Sequence, residues 1–377
     1  MKPRERLLRT LEHKEPDRIP IDIGSPVTSI HIEAYIKLKK HLGINRTKPG
    51  ILDMMQQVVV VDEPVLKRFS VDTRHLCLKP KKWRSLPEGG YVDEWGIKYK
   101  KPEKSHYYDM YEHPLANATI EDLDKYSWPD PDDPERVEGL KEKAEDIYKN
   151  TDYAIVLSGF GECLFGLPSW LRGHVQFYMD LLTDKKFVSA LLDRILEYEI
   201  RLAKNALKQV GKYIDVVRVS DDLGTENGPI ISPSLYREMI KPRQKKLYHF
   251  IKEHSNAKLL LHSCGSVYDL IPDFIEIGVD ALNPVQVAAR NMETKKLKEK
   301  FGEKITFWGG GCDTQKVLPF GTIDEIKKEV KRRIKDLAPG GGFVFAPVHN
   351  IQPDVAPEKI CAVYDTAIEF GRYPLKI

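Results

Sequence analysis

The chain has 377 residues, with 59 Lys and Arg against 56 Asp and Glu, a net charge of +3. That balance excludes a broad basic field for nucleic acid, and 41% hydrophobic residues in recurrent compact runs exclude disorder as the main state. The most apolar runs, such as Gln57–Val61 and Lys258–Leu261, fall far short of the roughly 20 residues that cross a bilayer.

Met1–Thr10 is charged and lacks the apolar stretch of a secretory signal. The five cysteines are odd in number and scattered, so they form no disulfide framework. A reducing cytoplasm is the expected compartment, where a Cys near a His serves more naturally as ligand or nucleophile than as half a crosslink.

In chain order, Ile19–Ile23 and Val71–Leu78 read as short apolar strands. Tyr91–Tyr99 reads as part of a hairpin turning at Glu94-Trp95-Gly96, and the Pro-, Asp- and Tyr-rich residues 100–135 continue an excursion. Ala154–Ser158 is the third strand. Phe187–Val210 follows as a long amphipathic helix, with Val188, Leu191, Leu192, Ile195, Leu202 and Ala206 on its apolar side. Val216–Ser220 is the fourth strand, and Ser232-Pro233 then opens a helix with a cap and a proline at its first position. Lys258–His262, Ala281–Pro284 and Ile305–Trp308 are the next three. Thr322 with Glu325 is a capping-box pattern, followed by Ile326, Val330, Ile334 and Leu337 at helical spacing, and Pro339-Gly340 stops the run. Phe343–Ala346 is the eighth strand.

Eight strands with intervening helices point to one (β/α)8 TIM barrel over residues 1–377, with an N-terminal helical extension and the hairpin excursion. Active sites of such barrels lie at the C-terminal ends of the strands. Asp221 and Asp222 follow the fourth strand, His262 and Cys264 end the fifth, Cys312 follows the seventh and His349 the eighth. His262 and Cys264 sit two apart and so share one face, above Leu260. An imidazole and a thiolate from one strand, joined by one or two ligands from later strands, make a zinc-like set. The bland alternatives are a small buried Cys264, a Cys312 that fills its glycine loop, and an aspartate pair that caps helices or holds arginines. Cys77, Cys163 and Cys361 are set aside as ligands, and Cys361 falls on the apolar side of the last helix.

Several segments carry a resemblance. Arg4-Glu5-Arg6-Leu7-Leu8 with Glu15-Pro16-Asp17-Arg18-Ile19-Pro20, then Leu66-Lys67-Arg68-Phe69 through Asp72, stand in the N-terminal half. Asp221-Asp222-Leu223-Gly224 with Ile231-Ser232-Pro233, His262-Ser263-Cys264-Gly265, Ala346-Pro347 and Ala356-Pro357-Glu358 follow. In this order they resemble the uroporphyrinogen decarboxylase superfamily, in its branch of zinc-dependent, corrinoid-linked methyltransferases, over nearly the whole chain. The decarboxylases themselves carry a Met-Arg-Gln-Ala-Gly-Arg segment and an Asp at the end of the second strand. Here that segment is missing, and Thr73–Leu78 holds no carboxylate. A metal-free carbon–carbon lyase of the same fold is the alternative.

The resemblance implies zinc on His262, Cys264 and a third ligand. The family places a Cys where this chain has His349, and Cys312 is an additional thiolate, to which soft-ligand chemistry gives a slight edge. It further implies a methyl ether, alcohol or thiol as methyl donor or acceptor. A neutral His349 in place of a thiolate leaves zinc a stronger Lewis acid and mildly favours an oxygen donor, as in O-demethylation. The Asp-x-His-x-x-Gly run of corrinoid-binding domains is missing, so the corrinoid is expected on a partner protein. Asp221, Asp222 or Glu226 would act as general acid or orient a bound group. Arg74, Arg172 and Arg218 are the candidates for a substrate carboxylate, against the common role of arginines in surface ion pairs.

Overall fold

The computed structural model describes residues 1–44, 48–79, 83–160 and 164–376. Seven parallel strands run in the order Thr73–Cys77, Ala154–Ser158, Val216–Ser220, Lys258–His262, Ala281–Asn283, Thr306–Trp308 and Phe343–Val344. The eighth stave is the segment around Ile21, which makes a parallel bridge to Phe345. Its Asp22 N–H donates to Phe345 O at 2.9 Å, and the Asp72 N–H donates to Ile21 O at 2.9 Å. The ring is thereby closed, and the expected TIM barrel stands with its eight strands in the expected places. The first is too short for a regular ladder because prolines and charged residues flank it.

The alternation of side chains decides what fills the barrel. Ala154, Val156, Val216, Leu260, Ala281, Trp308 and Val344 point inward and form one apolar cluster with Leu7 and Leu11. Those leucines belong to the helix Pro3–Leu11, which plugs the N-terminal end. Each buried leucine contributes about 1.5–3 kcal/mol, enough to hold a helix of this length in place. Asp72 locks the plug, accepting from Arg6 Nη1 at 2.5 Å, Arg18 Nη1 at 2.8 Å and the Ile21 N–H at 2.8 Å. The arginines of the N-terminal signature thus tie helix, closing segment and strand together. With its base filled, the barrel can receive a ligand only at the opposite end.

The helices follow their sequence signals. Ser232 caps Pro233–Met239, and the Thr322–Glu325 box opens Ile323–Leu337. The excursion is larger than one hairpin: Arg84–Ser85, Tyr91–Val92, Lys98–Lys100 and Asp109–Glu112 form a four-stranded antiparallel sheet. Its turn is organised by Asp93 Oδ1, which accepts from the N–H groups of Trp95 and Ile97, both at 2.9 Å. A two-stranded ribbon, Ile51–Asp53 with Val58–Val59, was not expected from sequence. Among the described residues no helix is long and apolar enough to cross a membrane.

Candidate metal centre

His262 closes its strand with the ring turned into the barrel, 2% exposed. Its Nδ1 lies 2.5 Å from Asn283 Oδ1, on the neighbouring strand. Asn283 Nδ2 donates to Trp308 O at 2.8 Å, which fixes the amide so that its oxygen faces the imidazole. Nδ1 therefore carries the proton and Nε2 is left as a bare lone pair aimed at the mouth, the usual arrangement behind a metal-binding histidine.

Cys264 Sγ lies 3.4 Å from that Nε2. The loop that presents it is braced from three sides. The Cys264 N–H donates to Asp222 Oδ1 at 2.9 Å, the Gly265 N–H to Gln286 Oε1 at 2.8 Å and the Ser266 N–H to Thr225 O at 2.7 Å. Gly265 has φ of +83°, and a Cβ there would sit 2.3 Å from Gly224 C, so only glycine lets the two loops touch.

His349 arrives from the eighth strand. The buried Asn350 beside it anchors the loop, accepting from the Ser29 N–H at 2.7 Å and donating to Pro26 O at 2.8 Å and to Gln56 Oε1 at 2.9 Å. The His349 and His262 ring centroids are 5.5 Å apart. One ligand atom from each of His262, Cys264 and His349 lies within 4.8 Å of the others. Donor atoms about 2.0–2.3 Å from a tetrahedral metal stand roughly 3.3–3.8 Å apart, so the pair at 3.4 Å already has the spacing and His349 needs only a small closing movement.

Electrostatics suit a cation. Burial and the neighbouring His262 push the His349 pKa down to about 4, and burial lowers that of His262, so both rings are neutral near pH 7. Burial and the Asp222 carboxylate hold the Cys264 thiol well above its ordinary pKa. Without a cation the thiol keeps its proton.

The preference given to Cys312 on thiolate softness is corrected by its position. Its side chain is fully buried in the main apolar core. Its Sγ lies 3.9 Å from Asp313 O, and burial, with Glu329 of the packed helix, raises its pKa. Its backbone serves the site instead, since Cys312 O accepts from the Val348 N–H at 3.0 Å, just before His349. Cys361 is half-buried and packs against the core, and Cys163 lies outside the described residues.

The acidic candidates separate. Asp221 is buried and accepts from the N–H groups of Phe165 at 2.9 Å and Gly166 at 3.0 Å and from Gln244 Nε2 at 2.9 Å. It holds the start of the helix Gly166–Arg172, and burial raises its pKa to about 7. Asp222 is exposed, with Oδ1 3.6 Å from His262 Nε2, and is the carboxylate at the ligand set. Glu226 is at the exposed rim, paired with Gln315 Nε2 at 2.9 Å.

The arginines separate as well. Arg74 pairs with Glu63 at 2.7 Å and lies over the Tyr153 ring. Arg172 is bound by Asp180 at 2.7 Å and by Leu115 O at 2.7 Å. Both are committed to these partners. Arg218 is tied to the site: its Nε donates to Ser158 Oγ at 3.0 Å, and its charge adds to burial in lowering the pKa of His262.

Sequence reasoning missed Asn283, Asp53 and Tyr107. Burial raises the Asp53 pKa against hydrogen bonds from Gln56 and Met55 and the charge of Arg218, and Tyr107 feels both Asp53 and Cys264, so the ribbon and the excursion reach the mouth. A cavity of about 360 Å³ opens beside Tyr107, lined also by Met55, Tyr108, Met110, His113 and His174. No spacing rule points to such residues, because they come from loops far away in the chain. Asn283 was reachable as the residue that ends the strand next to His262. Its replacement by Ala is expected to lower zinc affinity about 10–100-fold, measured against a chromophoric chelator, because the His262 ring loses its orienting acceptor.

A family model described as Uroporphyrinogen decarboxylase (URO-D) matches residues 96–370. The chain therefore belongs to the uroporphyrinogen decarboxylase family. It is 25% identical over 146 residues to a methionine synthase of Methanocaldococcus jannaschii, covering 38% of this chain and 42% of that protein. It is 22% identical over 148 residues to a uroporphyrinogen decarboxylase of Thioalkalivibrio sulfidiphilus, covering 38% of this chain and 40% of that protein. The chain thus spans about two fifths of the length of these curated relatives. A solved methyltransferase from Methanosarcina mazei shares the fold, with a TM-score of 0.65 and 22% identity over 98% of this chain and 99% of that one.

Proposed function

We propose that this member of the family is a zinc-dependent methyltransferase. It would move a methyl group between a small methyl ether, alcohol or thiol and a corrinoid carried by a partner protein. The observation that carries this reading is the convergence of His262, Cys264 and His349 on one point of the mouth, with the Nε2 of His262 freed by Asn283. A metal-free lyase has no use for that donor set. The M. mazei methyltransferase of similar fold and the methionine synthase relative agree with methyl chemistry.

Zinc held there supplies Lewis acidity, which makes a thiolate from a thiol near neutral pH or a better leaving group from an ether oxygen. The chain's own residues supply the rest. Asn283 holds the His262 tautomer, and Asp222, beside both His262 and Cys264, holds or delivers a proton at the rim. Arg218 gives the mouth a fixed positive charge for an anionic substrate group, and the cavity beside Tyr107 and Met55 gives its apolar part a place.

Zinc-loaded protein is expected to accelerate methyl exchange between free cobalamin and a small methyl ether, alcohol or thiol. The readout is the interconversion of methylcob(III)alamin and cob(I)alamin absorbance. Protein that holds zinc but is inert with all three substrate types overturns the proposal.

A further inference from the structure

Opposite the metal ligands, the barrel interior holds a second polar assembly that the functional reading leaves unused. Asp22, on the closing segment, is 1% exposed, and each of its oxygens takes two donors. Oδ1 accepts from Thr73 Oγ1 at 2.5 Å and faces His75 Nε2 at 2.7 Å. Oδ2 accepts from Thr28 Oγ1 at 2.9 Å and from Trp308 Nε1 at 3.0 Å. A carboxylate so surrounded is ionised, and it fixes the proton of His75 on Nε2. The other ring nitrogen, Nδ1, is buried and has no hydrogen-bond partner among the described residues. The side chain of His75 is only 6% exposed.

A buried orphan nitrogen on an imidazole that a carboxylate orients is costly unless something uses it. The same wall joins it to the metal site. Trp308 donates through Nε1 to Asp22 and accepts through its carbonyl from Asn283, whose oxygen holds His262. One chain of hydrogen bonds therefore runs His75, Asp22, Trp308, Asn283, His262 around the lumen. Arg218 stands on Ser158 of the strand beside that of His75, and Cys77 lies two residues beyond His75 on the same face. Tyr364 lies behind Asp22, and burial, with the charge of Asp22, keeps its phenol protonated.

We infer that His75, held by Asp22, is the proton acceptor and donor for the substrate's acidic S–H or O–H at the floor of the mouth. This rests on the reading of the mouth as a metal-assisted methyl-transfer site. When a substrate R–S–H becomes R–S⁻, its proton passes to Nδ1, and neutral His75 becomes an imidazolium held by Asp22. The S–H electron pair stays on sulfur as the nucleophile for the methyl group. For demethylation His75 must start as the imidazolium, protonated at Nδ1 from solvent before the substrate enters; the alkoxide R–O⁻ then takes that proton, R–OH leaves and His75 is left neutral. The pair balances the proton whichever way the methyl group moves. Asp22 does not change its protonation, and serves as in other carboxylate–histidine pairs by holding the tautomer and stabilising the cation.

The test uses cobalt(II)-loaded protein and 2-mercaptoethanol at pH 7. The increase in the thiolate-to-cobalt charge-transfer band above that of Cys264 alone counts substrate thiolate formed, and a pH-indicator dye counts protons released to solvent. With the wild-type chain the band is expected with release well below one proton per thiolate, because His75 keeps it. With His75→Gln, whose amide still donates to Asp22, about one proton per thiolate is expected in solvent. His75→Asn serves if the longer side chain perturbs folding. Equal proton counts in wild type and variants, with the band intact, overturn the role of His75 and leave the metal reading standing. No band with the wild-type protein removes the metal reading, and the inference falls with it.

Discussion

Cys264→Ala is expected to leave the barrel folded and strip the protein of zinc. Wild-type chain purified without chelator should carry about one zinc, and the variant close to none, with affinity lower by orders of magnitude. The asymmetry comes from position. Cys264 sits in a loop beyond its strand, and the bond that places it runs from its main-chain N–H to Asp222, which alanine keeps. The apolar layers below, from Leu260 down to Leu7 and Leu11, do not involve its side chain. What alanine removes is the sole thiolate of the donor set, leaving two neutral imidazoles that hold a divalent cation poorly.

Cys312→Ser makes the opposite cut. It places a hydroxyl among the side chains of the main core and should cost about 1–3 kcal/mol of stability, with zinc affinity unchanged. Metal analysis and thermal melts on the two variants give crossed outcomes. A Cys264→Ala protein with wild-type zinc content would reduce that thiol to a packing group.

The contrast between these cysteines shows what a sequence can carry. Strand alternation is enough to put His262 and Cys264 on one face above Leu260, and barrel topology is enough to bring the end of the eighth strand to the same mouth. The eight staves were legible because each is a short apolar run bounded by turn residues. Whether Cys312 or His349 turns toward the mouth was not legible. It depends on the glycine run Gly309–Gly311 and on packing against the helix Ile323–Leu337, which aim the Cys312 thiol into the core. Asp221 and Asp222 are adjacent in sequence and opposite in use, because consecutive residues leave a strand end on opposite sides. One enters the wall to hold a helix, and the other stays at the rim. Asp22 and His75 escaped notice for a related reason. Fifty-odd residues separate them in the chain, and only closure of the barrel makes them partners at 2.7 Å.

The protons carried by the ligands set how zinc binding depends on pH. Only deprotonated ligands bind, so each ligand that holds a proton in the free protein must release it, and affinity then rises with pH. His349, with its pKa pushed down to about 4, holds no ligand-site proton between pH 6 and 8, and burial shifts His262 toward the same neutral form. The Cys264 thiol, raised by burial and by Asp222, is protonated throughout that range. One proton therefore leaves per zinc bound, and the apparent affinity should rise about tenfold for each pH unit, or a hundredfold from pH 6 to 8. The sign follows from the thiol alone: a group whose free-protein pKa lies above the working pH opposes binding less as pH climbs. Competition against a chromophoric chelator, corrected for the chelator's own protonation, gives the slope of log affinity against pH. A slope near one fits a single thiol and two neutral imidazoles. A slope of two or three would mean that the histidines are charged in the free protein and that burial does not govern them. A flat line would mean that no thiol proton is displaced, and would remove Cys264 from the donor set. Below about pH 4 the line should steepen, as His349 begins to hold a proton that zinc must also displace.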